Sequence, residues 1–120
     1  MTGNSQEYVD HLMDCLAPLA NLTSGRFFGG RDIRADGVQF AMVMGDVLYF
    51  AVDDTTRPKY AAMGSGCFWY TTRKGRVDVT KYYEVPGELL EDRAVLLALA
   101  KEAIATALRA RRPKRATAGR

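Results

Sequence analysis

The sequence predicts an α+β two-layer sandwich, in which helices pack against an antiparallel sheet of about five strands. Apolar residues recur every three or four positions near both ends of the chain and alternate in much of the region between residues 26 and 84. Glycine-containing turns group the predicted strands into hairpins, and most of them have no crossover helix between them. A doubly wound parallel sheet would need such helices. The expected order is helix, three strands, helix, two strands and two helices.

The chain has 120 residues, which is the size of one domain. Its hydrophobic fraction of 48% is typical of a globular protein and too high for a long disordered one. We expect one domain over residues 1–110 and a basic, disordered tail over residues 111–120. Neither a membrane-spanning apolar run nor a secretion signal is evident, so we expect a cytoplasmic protein without a membrane partner.

The first helix is predicted over residues 5–20, with Ser5 as its N-cap and Pro18 close to its end. His11 lies off its apolar stripe. The stripe has spacings of three and four and consists of Tyr8, Val9, Leu12, Met13, Leu16 and Leu19.

The next region is predicted to form an antiparallel meander. A short strand over residues 26–28 ends at Gly29 and Gly30, and residues 32–35 are compatible with either a second strand or a connecting segment. Turns are expected at Asp36-Gly37 and Gly45-Asp46, because glycine accepts the positive φ of tight hairpin turns. Residues 47–52 are apolar on both faces, which predicts a central strand that is covered on both sides.

The second half is predicted to contain a helix, a hairpin and two more helices. One of Asp53, Asp54 and Thr55 is expected to cap a helix that runs to about residue 63 and ends at Gly64. Residues 67–73 and 76–84 are predicted to form the hairpin, with the aromatic residues of the first strand in the core. Pro86 begins a short helical turn. Asp92 caps the last helix, whose predicted stripe is Leu97, Ala100, Ile104 and Leu108 and which Pro113 ends.

Candidate chemical groups are few and incomplete. His11 and Cys15 are four residues apart on one helix and can approach each other, but Cys67 is remote in sequence. Two such ligands do not make a structural zinc site. The glycines between residues 25 and 30 match neither a P-loop nor a dinucleotide fingerprint. We therefore expect no catalytic residue, no metal site, no cofactor and no enzymatic activity.

The C-terminal end carries a separate positive charge. Six of the 17 basic residues and no acidic residue lie between Arg109 and Arg120, while the preceding residues hold the other 11 against all 14 acidic ones, a net charge of −3. Such a tail could neutralise phosphates without reading sequence, because it has no aromatic residue on which bases could stack. The candidate nucleic-acid contacts are Arg109, Arg111, Arg112, Lys114 and Arg115. The alternative interpretation is a solubilising end.

Four short segments in order resemble the N-terminal domain of the TfoX/Sxy family. The four segments are Arg26-Phe-Phe-Gly-Gly30, Asp36-Gly-Val, Leu48-Tyr-Phe-Ala-Val-Asp-Asp54 and Tyr82-Tyr-Glu-Val-Pro86. Phe27 stands where the family often has methionine, and the resemblance covers about residues 7–110. The motif residues, which we interpret as mainly structural, are Arg26, Phe28, Gly29, Gly30, Tyr49, Asp53, Asp54, Tyr83, Glu84 and Pro86.

The resemblance implies a regulatory role. Members of this family look like regulators of natural competence that act with a cyclic-AMP receptor-type activator at promoters. The resemblance implies no catalytic residues. We expect a stand-alone form without the family's C-terminal helical domain. The main hypothesis is a non-enzymatic adaptor that binds a protein such as a transcription activator, with self-association through the sheet as a further expectation. The alternatives are nucleic-acid binding through the tail, and a small-molecule-binding domain or unknown enzyme.

Overall fold

The computed structural model describes residues 6–19 and 21–111, except for the side chain of residue 111. The helices are α1 (Gln6–Cys15), α2 (Arg57–Ala62) and α3 (Arg93–Arg111), with a short 3₁₀ helix at Gly87–Glu91. The strands are β1 (Leu22–Phe27), β2 (Gly30–Ala35), β3 (Val38–Met44), β4 (Val47–Ala51), β5 (Cys67–Thr72) and β6 (Gly75–Glu84).

All six strands form one antiparallel sheet in the order β1-β2-β3-β4-β6-β5. The predicted α+β class with helices packed against an antiparallel sheet is therefore confirmed. The sheet has six strands where about five were expected, because four strands rather than three precede α2. Strand β1 begins at Leu22, before the predicted segment, where the chain has little apolar alternation and pairing with β2 determines the strand.

The predicted tight turns are confirmed. Asp36 and Gly37 have φ values of 52° and 78°, and Gly45 and Asp46 have values of 60° and 59°. Positive φ at both central residues gives a turn whose twist matches that of the flanking strands. These turns set the register of β2, β3 and β4.

One face of the sheet carries the hydrophobic core. Helix α3 packs on β3 and β4, and α1 contributes to the same cluster of buried side chains. The most deeply buried large residues include Leu12, Leu16, Ile33, Phe40, Phe50, Tyr60 and Leu96. The predicted stripe of α3 is therefore shifted: Leu96, Leu99, Ala100 and Ala103 are buried, whereas Leu108 is 45% exposed. Two apolar stripes overlap on α3, and packing against the sheet buries the one that contains Leu96, Leu99 and Ala103.

The side chains on the outer face of β4 are less buried than predicted. Leu48 and Phe50 are buried under the helices, but Val47 and Tyr49 on the other face are only half-buried. Because α1 and α3 both contribute to the core on one face, they leave the opposite face without a helical layer in the part of the chain that the structure describes. The expectation that both faces of this strand are covered is wrong for that reason.

Only some of the helices begin and end at the predicted capping and terminating residues. Helix α1 ends at Cys15, before Pro18, and its predicted cap Ser5 lies outside the described residues. Helix α2 starts at Arg57, because Asp53 caps the preceding turn instead. Pro86 precedes the 3₁₀ helix as predicted. Among the described residues, no helix has the length and apolar character that crossing a membrane would require.

Candidate interaction face of the sheet

The sheet face opposite the helices is the candidate functional surface, and we call it the open face. Cross-strand register places Asp32 opposite Met42, Met42 opposite Tyr49, and Tyr49 opposite Glu84. Directly opposed residues in an antiparallel sheet project from the same face. This row therefore runs across the open face, with the buried side chain of Met42 near its centre.

An apolar cleft lies on the open face. Its volume is about 370 Å³. Its lining side chains come from four strands and from the β1–β2 turn: Phe27, Phe28, Met42, Met44, Phe68, Tyr70, Val79 and Tyr82. Methionine and aromatic side chains together form adaptable surfaces that accept apolar groups of different shapes.

Aromatic rings border this cleft in contact with one another. The ring centroids of Tyr49 and Phe68 are 5.3 Å apart in an edge-to-face arrangement, and Phe68 continues to Tyr70 at 6.2 Å. Phe27 and Phe28 are 4.8 Å apart at the opposite end. These spacings fall within the range of favourable aromatic pairs. The predicted burial of the β5 aromatics in the core is wrong, because Trp69 and Tyr70 are 49% and 45% exposed.

Phe28 has an unusual backbone conformation. It is 85% exposed and has a φ of 46°, with Gly29 following at 85°. A bulky residue in the left-handed region costs on the order of 1–2 kcal/mol, which the other hairpin turns avoid by using glycine and aspartate. An exposed phenylalanine at a strained position is a mark of a functional residue. The family motif predicted only a structural role for Phe28, since the φ of a residue is not visible in the sequence.

The polar groups on the open face include a hydrogen-bonded carboxylate, Asp32, and two phenols, Tyr49 and Tyr82. The buried carboxylate of Asp32 accepts hydrogen bonds from the Gly25 N–H at 2.9 Å and from the Arg34 guanidinium at 3.0 and 3.1 Å. Burial raises the pKa of Tyr49 and of Tyr82 above the ordinary tyrosine value. Both phenols therefore stay protonated at neutral pH and can donate hydrogen bonds to a ligand.

Most other motif residues support the fold around this face. Gly30 pairs with Phe27 across the β1–β2 turn, and Tyr83 pairs with Phe50 in the neighbouring strand. Arg26 is exposed on β1, and Pro86 leads into the 3₁₀ helix. Asp54 is exposed and forms an ion pair with Arg57 at 2.7 Å. Of the predicted motif residues, Phe28, Gly30, Tyr49 and Glu84 lie on or beside the open face.

Asp53 connects the turn before α2 to the end of α3. Its Oδ1 accepts hydrogen bonds from the N–H groups of Thr55 and Thr56 at 2.9 and 3.0 Å. Its Oδ2 accepts a hydrogen bond from the Arg109 guanidinium at 2.8 Å. The Arg109 contact, together with the turn hydrogen bonds, holds the pKa of this carboxyl well below its usual range. Asp53 therefore caps the turn that precedes α2, whereas the N-cap of the helix itself is Thr56, without a side-chain hydrogen bond.

Replacing Asp53 by asparagine is expected to lower the free energy of unfolding by about 0.5–1 kcal/mol at pH 7, because the charge pair is lost while the oxygen acceptor remains. Since the pKa is lowered by folding, this stabilisation is complete above about pH 5 and declines as the pH falls below about 4. Urea unfolding of both proteins between pH 2 and 7 measures the difference. Arg109→Gln is the matched control and should show the same pH dependence. An asparagine variant that is equally destabilised at pH 2 and pH 7 would contradict this assignment.

The predicted basic contacts are only partly visible. Arg109 is 57% exposed at its side chain and is bonded to Asp53 and to Thr106. Arg111 ends α3, and its side chain is not described. Arg112, Lys114 and Arg115 lie outside the described residues. Nucleic-acid binding by this segment therefore stays a prediction.

A second cluster surrounds Cys15 on the helical side. The Cys15 Sγ lies 3.6 Å from the His11 Nε2 and 3.8 Å from an Arg93 guanidinium nitrogen, as the four-residue spacing of Cys15 and His11 predicted. Cys15 is buried and Cys67 half-buried, and neither is in a disulfide. In residues 6–19 and 21–111, no three His, Cys, Asp or Glu side chains converge as a metal site would require.

A family model identifies the same family as the sequence motifs that surround the open face. The TfoX N-terminal domain family matches residues 14–107. This chain belongs to the TfoX N-terminal domain family. The match includes all six strands in full and most of α3, so it covers the complete sheet of this TfoX N-terminal domain. No curated protein matches the sequence.

Proposed function

We propose that this TfoX N-terminal domain is a non-enzymatic regulatory adaptor that binds a protein partner through the apolar cleft of the open face. The observation that carries the proposal is Phe28, an exposed aromatic residue held in a strained turn at the edge of that cleft. The cleft is near the lower end of the size range of ligand pockets, which suits one or two apolar side chains of a partner segment. The protonated hydroxyl of Tyr82 can orient that segment.

Membership of the family is the basis for proposing a class of partner. The resemblance to TfoX/Sxy competence regulators leads us to propose a transcription activator as the partner, with the cytoplasm as the compartment and competence as the regulated process. A binding role also fits the lining of the cleft, since apolar and aromatic side chains contribute affinity without supplying proton transfer or a nucleophile.

Replacing Phe28 by asparagine separates stability from binding. Asparagine tolerates the left-handed conformation, so the free energy of unfolding is expected to rise by about 1 kcal/mol. Partner binding is expected to fall at least tenfold, because the exposed ring would supply a large apolar contact. Urea unfolding measures the first quantity, and capture from cell extract on the immobilised domain, followed by titration of the recovered partner, measures the second.

The matched control is Leu108→Asn, which changes an equally apolar residue, 45% exposed, on the helical side of the molecule. It should retain the partner that the unmodified domain recovers. The proposal fails if the asparagine variant at position 28 captures the same proteins with the same affinity, or if both variants lose them equally.

A further inference from the structure

The two outer strands of the sheet differ in their protection against pairing. Strand β1 carries Arg26 and a glycine, both of which weaken pairing with another strand. Strand β5 has the sequence Cys-Phe-Trp-Tyr-Thr-Thr, with no charge, no proline and no glycine. Its only strand neighbour is β6, and residues 68–72 are exposed or half-buried. In the described part of the chain, β5 is therefore an exposed edge with strong β propensity, and from Phe68 to Thr72, beyond the register shift between Cys67 and Phe68, it carries no charge and no proline that would oppose pairing.

We propose that β5 pairs with β5 of a second copy of this chain, in an antiparallel arrangement about a two-fold axis at Trp69. Such an interface is isologous, because each copy contributes the same surface. It extends the antiparallel sheet across both copies and satisfies the outward-facing backbone N–H and C=O groups of both edges. This interface goes beyond the proposed binding at the cleft, and its test does not depend on a partner protein.

The side chains of β5 favour a second copy in this register. Trp69 would face Trp69 of the other copy, and Phe68 would face Tyr70 of the other copy twice. Aromatic cross-strand pairs stabilise antiparallel sheets. Because Phe68 contacts both Tyr49 and Tyr70, the aromatic rows of the two open faces would become continuous.

The charges beside β5 are complementary about the same axis. The cationic turn of Arg73 and Lys74 follows β5, and its residues make no ion pair within residues 6–19 and 21–111. The proposed register places Arg73 opposite Ser65 of the other copy. The backbone of the acidic residue Glu84, whose side chain is exposed, is hydrogen-bonded to Ser65 and Gly66. The antiparallel register therefore keeps the two cationic turns at opposite ends of the interface, each beside the segment that adjoins Glu84 of the other copy, so the cationic turns do not face each other.

Trp69 is a suitable position for the test because it is not among the side chains that line the cleft. Its ring is 4.3 Å from the Arg76 guanidinium. Replacement by lysine places two like charges opposite each other at the two-fold axis, which disfavours pairing. Replacement by glutamate does the same. An equal mixture of Trp69→Lys and Trp69→Glu restores opposite charges only if residue 69 faces itself.

The experiment measures mass in solution by sedimentation equilibrium over a range of concentrations. The unmodified chain is expected to reach twice its mass of 13.3 kDa. Trp69→Lys and Trp69→Glu alone should weaken self-association at least tenfold, and the mixture should recover it. Trp69→Tyr is the matched uncharged variant and should remain dimeric. Circular dichroism checks that every variant is folded.

A disulfide test determines the register. In a Cys67→Ser background, Trp69→Cys should form a covalent dimer on mild oxidation, because opposed residues lie within disulfide reach. Tyr70→Cys should not, since the two copies of residue 70 are offset along the strands. A single-chain mass of the unmodified protein at every concentration would overturn the proposal. So would a dimer that Trp69→Lys leaves unchanged, or equal cross-linking by both cysteine variants.

Discussion

Phe50→Ala is expected to lower the free energy of unfolding by about 3–5 kcal/mol. Phe50 is 0% exposed and lies near the C-terminal end of β4, with its ring centroid 5.9 Å from that of Phe40. Its removal eliminates apolar burial and leaves a cavity between the sheet and α3, which the surrounding backbone cannot fill. A domain of this size has a total stability of about 5–15 kcal/mol, so the variant would be close to unfolding at 37 °C.

Urea unfolding followed by far-ultraviolet circular dichroism measures the effect of Phe50→Ala. The slope of free energy against urea should stay the same, because the folded state buries a similar surface. Phe28→Ala is the matched control, since the same truncation at an 85% exposed ring should not destabilise the domain by more than about 0.5 kcal/mol. A loss below about 1 kcal/mol for Phe50→Ala would show that the core is not organised around this ring.

Gly30→Ala is expected to lower the free energy of unfolding by about 1–3 kcal/mol through a steric conflict. A Cβ at this position would lie closer than 3.0 Å to the carbonyl oxygen of Val43 and to the sulfur of Met44. The methionine side chain can move, but the carbonyl belongs to the central strand β3. The alanine would therefore push β2 away from β3.

Gly87→Ala is the control for Gly30→Ala. A Cβ at position 87 meets nothing within 4 Å, and this glycine does not have a positive φ. Its effect should stay within about 0.5 kcal/mol. Thermal unfolding of the two variants compares them directly, and equal melting temperatures would show that close approach of β3 does not explain the glycine at position 30.

Comparison of these residues shows why the fold was predictable from the sequence. The turns at residues 36–37 and 45–46 use residue types that accept positive φ, Asp53 caps the turn before α2, and Pro86 precedes the 3₁₀ helix. Such interactions act between residues a few positions apart, so their pattern is visible in the sequence. The order of hairpins and helices, the predicted core role of Leu12 and Leu16 and the family resemblance all follow from local patterns of this kind.

The candidate site was predicted less well, for a physical reason. The aromatic residues of β5 have the composition of a core strand, yet Trp69 and Tyr70 are half exposed, because composition does not say which face the helices cover. The strain at Phe28 depends on the two-residue turn that β1 and β2 form when they pair. Neither feature is a property of one segment.

The amino-acid sequence alone determines the alternation of helices and hairpins, the tight turns at residues 36–37 and 45–46, the family and the separate positive charge of the C-terminal end. Only the tertiary structure decides which sheet face is covered, which stripe of α3 is buried and that the cleft exists. The reason is that local conformation follows from short-range sterics and hydrogen bonds, whereas covering one face and leaving the other open follows from how distant segments share a limited apolar surface.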